Sequence, residues 1–398
     1  MPERAQRLVD FLAPLYPLGA FHGPNSRQYP RRLRRKQQAA STHLVAAHER
    51  EGERARFGFA LRQRSGPTPV RQSGVVEVSA PQATSDRSIQ PVAVIGAGLI
   101  GRAWAIVFAR AGHPVRLHDA DAATMAGSLA YIEERLRELA GFGLLNDPAQ
   151  DVLSRIRCEP NLADALRDVV MVQENIRETV EAKIAIFAQL DALAPPDAVL
   201  ASSTSWLPAS TFTSDLAGRA RCLVGHPTNP PYLVPLVELC PAPWTDPKVM
   251  ERAHALYAAA GQTPVSLSRE IPGFLLNRVQ AAVLNECFTL FEQGLASAED
   301  IDKVLKDGLA LRWSFMGPFE TIDLNAPAGV MDYARRYGPQ CRETMVGVQP
   351  FSWADDTVAR VDSERRKQLD IGDIGTRSAW RDRRLMALAA HKRTAPTA

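Results

Sequence analysis

From Pro91 onward, short apolar runs alternate with longer stretches whose apolar residues recur at helical spacing. Val92 to Ile95 is wholly apolar and mostly β-branched, which predicts a strand buried on both faces. Helix formers fill Ala103 to Ala111, and Val115 to Asp119 reads as a second strand. A long polar-apolar helix is expected over Thr124 to Phe142, then a strand at Val169 to Gln173 and a helix from about Thr179 to Leu193. Ala198 to Ala201 and Arg221 to Gly225 read as further strands. A helix near Pro247 to Ala260 leads to an apolar run at Pro264 to Leu267. At Pro272-Gly273 the character changes. Phe274 to Gly294 has a long helical pattern, and only helical patterns follow. Strands alternating with helices argue a mostly parallel sheet covered on both faces. The boundary to the helical part is placed at residue 270, giving domains over 91–270 and 271–398.

Residues 1–90 differ from the rest. They carry roughly 15 Arg+Lys against 7 Asp+Glu, including the run Arg31 to Lys36, with scattered Pro and Gly and weak periodicity. Such a stretch buries too little apolar surface to offset chain entropy, so it is expected to be a disordered basic extension. No methionine follows Met1 until Met125. One reading therefore puts the native start at a non-ATG codon near Val75 to Val78, which N-terminal sequencing of the native protein decides.

The whole chain of 398 residues has a formal net charge of only +3 and 23% charged residues, an ordinary globular balance. No apolar run approaches the roughly 18 residues a membrane-spanning helix needs. The start carries no pattern of a secretory signal, so a cytoplasmic protein without membrane or nucleic-acid partners is expected. Five scattered cysteines with no C-x-x-C pair suggest reduced thiols and no metal site.

The chemistry concentrates in two places. The first strand runs into Gly96-Ala-Gly98-Leu99-Ile100-Gly101, a G-x-G-x-x-G turn opening a helix. Its glycines serve a tight turn, close approach of a pyrophosphate and close helix–strand packing, while free N–H groups at the helix start meet the phosphates. The second strand ends in Asp119, about twenty residues on, where ribose hydroxyls need an acceptor. With no basic cluster after it, this acid favours NAD over NADP.

The second place is His226-Pro-Thr-Asn-Pro-Pro-Tyr-Leu-Val-Pro-Leu-Val-Glu238. A proline-rigid loop after a strand is where open α/β sheets place ligands. Glu238 lies on an apolar segment, so its carboxylate needs a partner; His226 is an economical one, as a general base oriented by the acid. Ser205, in the Ser-rich loop after another strand, and Asn277, one turn into the helix after Pro272-Gly273, complete the set. Each of those two is equally compatible with helix capping.

These segments together resemble the L-3-hydroxyacyl-CoA dehydrogenase superfamily over residues 91 to about 330. The wording is closest to its L-gulonate 3-dehydrogenase (lambda-crystallin) branch. The likeness rests on Val94 to Trp104, His226 to Glu238, Pro272 to Arg278 and Asp307 to Pro318, with Trp380-Arg-Asp near the C-terminus. It implies a Rossmann-type doubly wound α/β sheet followed by an all-helical C-terminal domain that pairs two subunits. It implies His226 as catalytic base, Glu238 as its orienting acid, and Ser205 and Asn277 as holders of the reacting oxygen. Asn229 corresponds to an active-site Asn, Glu174 to an acid on the nicotinamide side, Lys183 to a further cofactor-binding residue, and Asp119 to the ribose acid. Arg312, in Leu311-Arg-Trp-Ser-Phe, is a candidate carboxylate clamp, since guanidinium meets carboxylate in a two-bond fork. The implied reaction is NAD-dependent oxidation of a C3 hydroxyl. Its substrate is an L-gulonate-like free 3-hydroxy acid, with 3-hydroxyacyl-CoA or carnitine as alternatives and a non-enzymatic NAD-binding role as the reading from another class.

Overall fold

The computed structural model describes residues 89–345 and 355–394, all within the compact unit Thr84–Ala398. The expectations for residues 1–88 lie outside the described residues. Eight strands form one sheet in the order β3-β2-β1-β4-β5-β6-β7-β8. They are β1 (Val92–Ile95), β2 (Val115–His118), β3 (Ile156–Cys158), β4 (Met171–Glu174), β5 (Val199–Ser202), β6 (Cys222–Pro227), β7 (Leu236–Pro241) and β8 (Thr263–Ser266). All neighbours pair in parallel except β6 with β7.

β1 is buried along its whole length. Val92 and Val94 point into one apolar cluster, while Ala93 and Ile95 point into another on the opposite face. A strand that must satisfy two cores has no room for polar alternation, which is why the sequence reads as an unbroken apolar run. Helix α1 (Leu99–Arg110) and helix α2 (Ser128–Gly141) cover the first face through Trp104, Phe108, Ile132 and Leu136. Helix α3 (Val180–Leu193) covers the second through Phe187 and Leu190. Helix α4 (Pro247–Ala259) adds Tyr257 to the first face.

Three details differ from the sequence reading. The expected helix over Thr124 to Phe142 is two elements, a short helix Ala122–Ala126 capped by the Asp121 carboxylate and then α2. β3 has only three residues and exposes Arg157, so it left no apolar signature. β7 is a six-residue strand whose polar Glu238 sits among buried apolar neighbours, a pattern that reads as strand only once its partner is known.

After β8 the described chain is helical: α5 (Leu276–Glu292), a run from Ala298 to Trp313 that includes a π-helical turn at Val304–Leu309, a short helix Pro318–Leu324, α6 (Gly329–Thr344), α7 (Asp355–Gln368) and α8 (Ile374–Thr394). Met386 of α8 is fully buried in the first-face cluster, which ties the last helix to the sheet domain. Many apolar side chains of the helical part face outward; Phe319 is 79% and Phe315 71% exposed.

Candidate active site

β1 and β4 are neighbours although β2 and β3 lie between them in sequence, so the strand order reverses at their carboxyl ends. A crevice opens at such a reversal. The glycine turn borders it. Gly96 has φ +92° and any Cβ there would meet the Asn175 backbone at 2.8 Å. A Cβ on Gly101 would stand 1.7 Å from the Gly96 carbonyl oxygen, so α1 packs on the turn only because that position is bare. Gly98 faces open space. It begins α1 without any side-chain cap, leaving the first amides, those of Leu99, Ile100 and Gly101, for an outside acceptor. Asp119 Oδ2 accepts from Ala97 N at 2.7 Å and Oδ1 from Asp121 N at 2.9 Å, which fixes the acid beside the turn. An uncapped helix start, an open cradle at Gly98 and a half-buried acid after β2 fit a dinucleotide.

His226 and Glu238 face each other as cross-strand partners in the antiparallel β6–β7 ladder. Directly opposed residues lie close enough for their side chains to meet. His226 Nδ1 lies 2.9 Å from Glu238 Oε2, and both residues are buried. The other carboxylate oxygen accepts from the amides of Leu275 at 2.8 Å and Leu276 at 2.9 Å, at the start of α5. Burial pushes the Glu238 carboxyl up, but the hydrogen bonds from His226 and those two amides outweigh it and leave its pKa below the ordinary value. Glu238 thus ties three elements together: β7 that carries it, β6 through the imidazole and α5 through its first amides.

The ring of His226 also packs on Phe274, with centroids 5.4 Å apart. Phe274 is fully buried and holds φ +49°, a left-handed conformation that costs a non-glycine residue of order 1 kcal/mol. It follows Gly273, whose φ is +74°. This strained turn sets the wall behind the imidazole and delivers the Glu238-capped helix start.

Ser205 lies in the loop after β5. Asn277 Nδ2 donates to its carbonyl at 2.7 Å, so the structure brings the two together. Among the described residues the Ser205 hydroxyl has no partner, leaving it open to a ligand. The loop is held by a residue the sequence reading missed. One oxygen of Glu178 accepts from the Thr204 hydroxyl and from the amides of Ser205 and Trp206, each at 2.7 Å. In sequence Glu178 looks like any acid ahead of a helix, and nothing marks its reach across to the next loop. A second missed group lies under the crevice. Gln173 Nε2 donates to Ser203 Oγ at 2.7 Å and to the Gly225 carbonyl at 3.4 Å, and Tyr257 donates to Gln173. A Cβ on Gly225 would fall 2.1 Å from the Tyr257 hydroxyl, so the residue before His226 must be glycine.

The other named residues sit elsewhere. Glu174 and Lys183 form a fully buried ion pair at 2.7 Å. Glu174 also accepts from Ile176 N and from the Ser202 hydroxyl. With its oxygens taken up and both side chains buried, this pair braces the ends of β4 and β5 from beneath. Asn229 is exposed, on the loop after β6, at a cis bond to Pro230. Arg312 is exposed on the short helix Ala310–Trp313 and shares no hydrogen bond with His226, Glu238, Ser205 or Asn277. Among the described residues no group of acids, histidines and cysteines is arranged to hold a metal ion. No helix there is long and apolar enough to cross a membrane.

Comparison with known proteins agrees with this geometry. Residues 91–271 match the family model described as 3-hydroxyacyl-CoA dehydrogenase, NAD binding domain. Residues 273–364 match that of the 3-hydroxyacyl-CoA dehydrogenase C-terminal domain. The chain is 40% identical to lambda-crystallin of Oryctolagus cuniculus over 309 residues, covering 76% of this chain and 96% of that protein. It is 36% identical to an L-carnitine dehydrogenase of Streptomyces griseus over 264 residues, covering 66% of this chain and 77% of that protein. The (S)-3-hydroxybutyryl-CoA dehydrogenase structure from Ralstonia eutropha superposes with a TM-score of 0.53 at 26% identity, covering 64% of this chain and 89% of that one. A crevice built for a dinucleotide, joined to both domains of one family, makes this chain a member of the 3-hydroxyacyl-CoA dehydrogenase family, NAD-dependent oxidoreductases acting on a CH–OH group.

Proposed function

We propose that this protein oxidises the C3 hydroxyl of a free L-3-hydroxy acid, L-gulonate or a close analogue, to the 3-keto acid. The observation that carries the chemistry is the His226–Glu238 pair at the carboxyl end of β6. Glu238 bonds Nδ1, so Nε2 is the nitrogen left for substrate. In that arrangement Nε2 takes the hydroxyl proton, and the positive charge gained by the ring is offset by the adjacent carboxylate. The Ser205 hydroxyl and the Asn277 amide flank the same end of the sheet and hold the substrate oxygen as it becomes a carbonyl. NAD, when bound, would supply the acceptor for the hydride leaving C3. The amides of Leu99, Ile100 and Gly101 would hold its pyrophosphate and Asp119 its adenosine ribose.

The free-acid reading is supported by the likeness to lambda-crystallin over nearly that protein's whole length, by the L-carnitine dehydrogenase relative, and by Arg312, an exposed cation available to a carboxylate. A second reading, a 3-hydroxyacyl-CoA substrate, is supported by the family models and the Ralstonia structure. Steady-state kinetics with NAD and L-gulonate, carnitine or 3-hydroxybutyryl-CoA separates them. The free-acid reading expects kcat/KM for L-gulonate to exceed that for the thioester; the reverse order overturns it. We further propose that the outward apolar side chains of the helical domain pair two copies of this chain.

A further inference from the structure

A cavity of about 620 Å³ lies between the end of α1, the chain leading into β7 and β8, and the last two turns of α8. It shares no lining residue with the glycine turn or with His226, Glu238, Ser205 and Asn277. Eleven residues of helix, about 17 Å, separate Arg110 at its edge from Leu99 at the turn. Its polar character is one-sided. Arg110, Lys392 and Arg393 line it and no carboxylate does. None of the three has an ion-pair partner among the described residues. Each is held instead by backbone or amide oxygens. Arg110 Nη1 donates to the Tyr232 carbonyl at 2.7 Å, Arg393 to the Gly143 carbonyl at 2.9 Å and to Asn146 Oδ1 at 3.0 Å, and Lys392 to the Ser314 carbonyl. These contacts fix the cations in place and leave most of their N–H donors unused. The rest of the wall is apolar, with Leu144, Leu233 and Leu388 prominent.

Gathering cations without a counter-charge costs energy, and the cost registers here. Burial, and then repulsion from Arg393, pull the Arg110 guanidinium down to about 10. A bound anion removes that cost, and an apolar body attached to it covers the leucines. We propose that this cavity is a second ligand site, separate from the reaction centre, that takes an amphiphilic anion: a carboxylate or phosphate head group against the arginines with an alkyl chain along the leucine wall.

The test is calorimetric titration of the full-length protein, saturated with NAD, using sodium decanoate and decyl phosphate. Inorganic phosphate and the uncharged decyl maltoside serve as the head-group-only and chain-only arms. The site predicts one saturable amphiphile per chain, with the tighter of the two naming the head group, and at least tenfold weaker binding of both partial ligands. It predicts about tenfold or greater loss of affinity in Arg110→Gln and in Arg393→Gln. Arg393 is exposed at the end of the last helix, so R393Q carries the test if R110Q does not fold. No saturable binding, full affinity in R393Q, equal binding of decyl maltoside or of inorganic phosphate, or displacement by a 3-hydroxy acid substrate overturns the proposal. Because binding is read without turnover, failure here leaves the dehydrogenase reading intact, and failure of that reading leaves this one.

Discussion

Glu238 does two jobs that substitution separates. Its Oε2 meets His226 and its Oε1 meets two amides at the start of α5. In Glu238→Ala both sets lose their acceptor, and leaving buried donors unsatisfied costs about 1–3 kcal/mol each. The expected outcome is a lowered Tm together with lost turnover. His226→Gln removes the proposed base but keeps a polar group on Glu238. Turnover is expected to fall by roughly two to four orders of magnitude with NAD affinity and Tm little changed; unchanged turnover in a folded H226Q rules out His226 as the base. The acid limb of stability follows from the same carboxylate. Its folded pKa is depressed, so its contribution is complete above the ordinary glutamate range and is lost as pH falls through the folded value. Chemical denaturation from pH 7 downward is expected to show that loss in the wild type and a shallower acid limb in Glu238→Gln. The His226–Glu238 pairing was legible in the sequence because a carboxylate on an apolar segment needs a partner, and the Ser205–Asn277 contact because one residue sits in the loop after β5 and the other just past the Pro272-Gly273 break. Glu178 was not, because its partners lie across a loop whose path no local pattern encodes.

At the scale of the element, the glycine turn makes opposite predictions for neighbouring positions. A methyl group at Gly101 collides with the Gly96 carbonyl, whereas one at Gly98 meets nothing within 4 Å. Gly101→Ala is therefore expected to destabilise the fold by about 1–3 kcal/mol. Gly98→Ala is expected to keep its Tm and lose NAD affinity about tenfold, because the open space there is where the pyrophosphate comes closest. Thermal melts with and without NAD check both, and a stable Gly101→Ala with normal affinity contradicts the packing argument. The strands and helices of the sheet domain were largely readable for the reason that governs β1: two-sided burial leaves an unbroken apolar run. β3 and β7 escaped because one is too short to leave a pattern and the other interrupts its apolar run with Glu238. The expected helix is divided at Gly127, after a short helix that Asp121 caps at its start, and apolar periodicity alone does not register either boundary.

For the molecule as a whole, the family domains span residues 91–364 and the lambda-crystallin match covers 96% of that protein. A chain starting at residue 89 is therefore expected to fold, bind NAD and turn over like the full-length protein, judged by melting temperature and kcat/KM. A large loss in either gives residues 1–88 a role in the enzyme. The helical domain bears on assembly. Its Phe315, Phe319, Val279 and Leu311 are exposed among the described residues, and apolar area of that extent on one domain is characteristic of an interface. Sedimentation equilibrium is expected to give a dimer that a charged substitution such as Phe319→Glu weakens; a wild-type monomer at all concentrations refutes it.

The β6–β7 junction has a consequence for how this enzyme comes to life. Side chains alternate between the faces of a strand, so slipping β7 by one residue would set Val237 or Leu239 beside the imidazole and turn the carboxylate to the wrong side. The slipped chain would also lack the acceptor for the first amides of α5, so the helical domain would be poorly anchored. Acid–base competence is in this sense a proofreading signal for assembly. The His226–Glu238 pair exists only in molecules whose sheet has closed in register and whose second domain has been started from it, and, on the proposed chemistry, a recovery-of-activity curve during refolding is expected to report the last of those events.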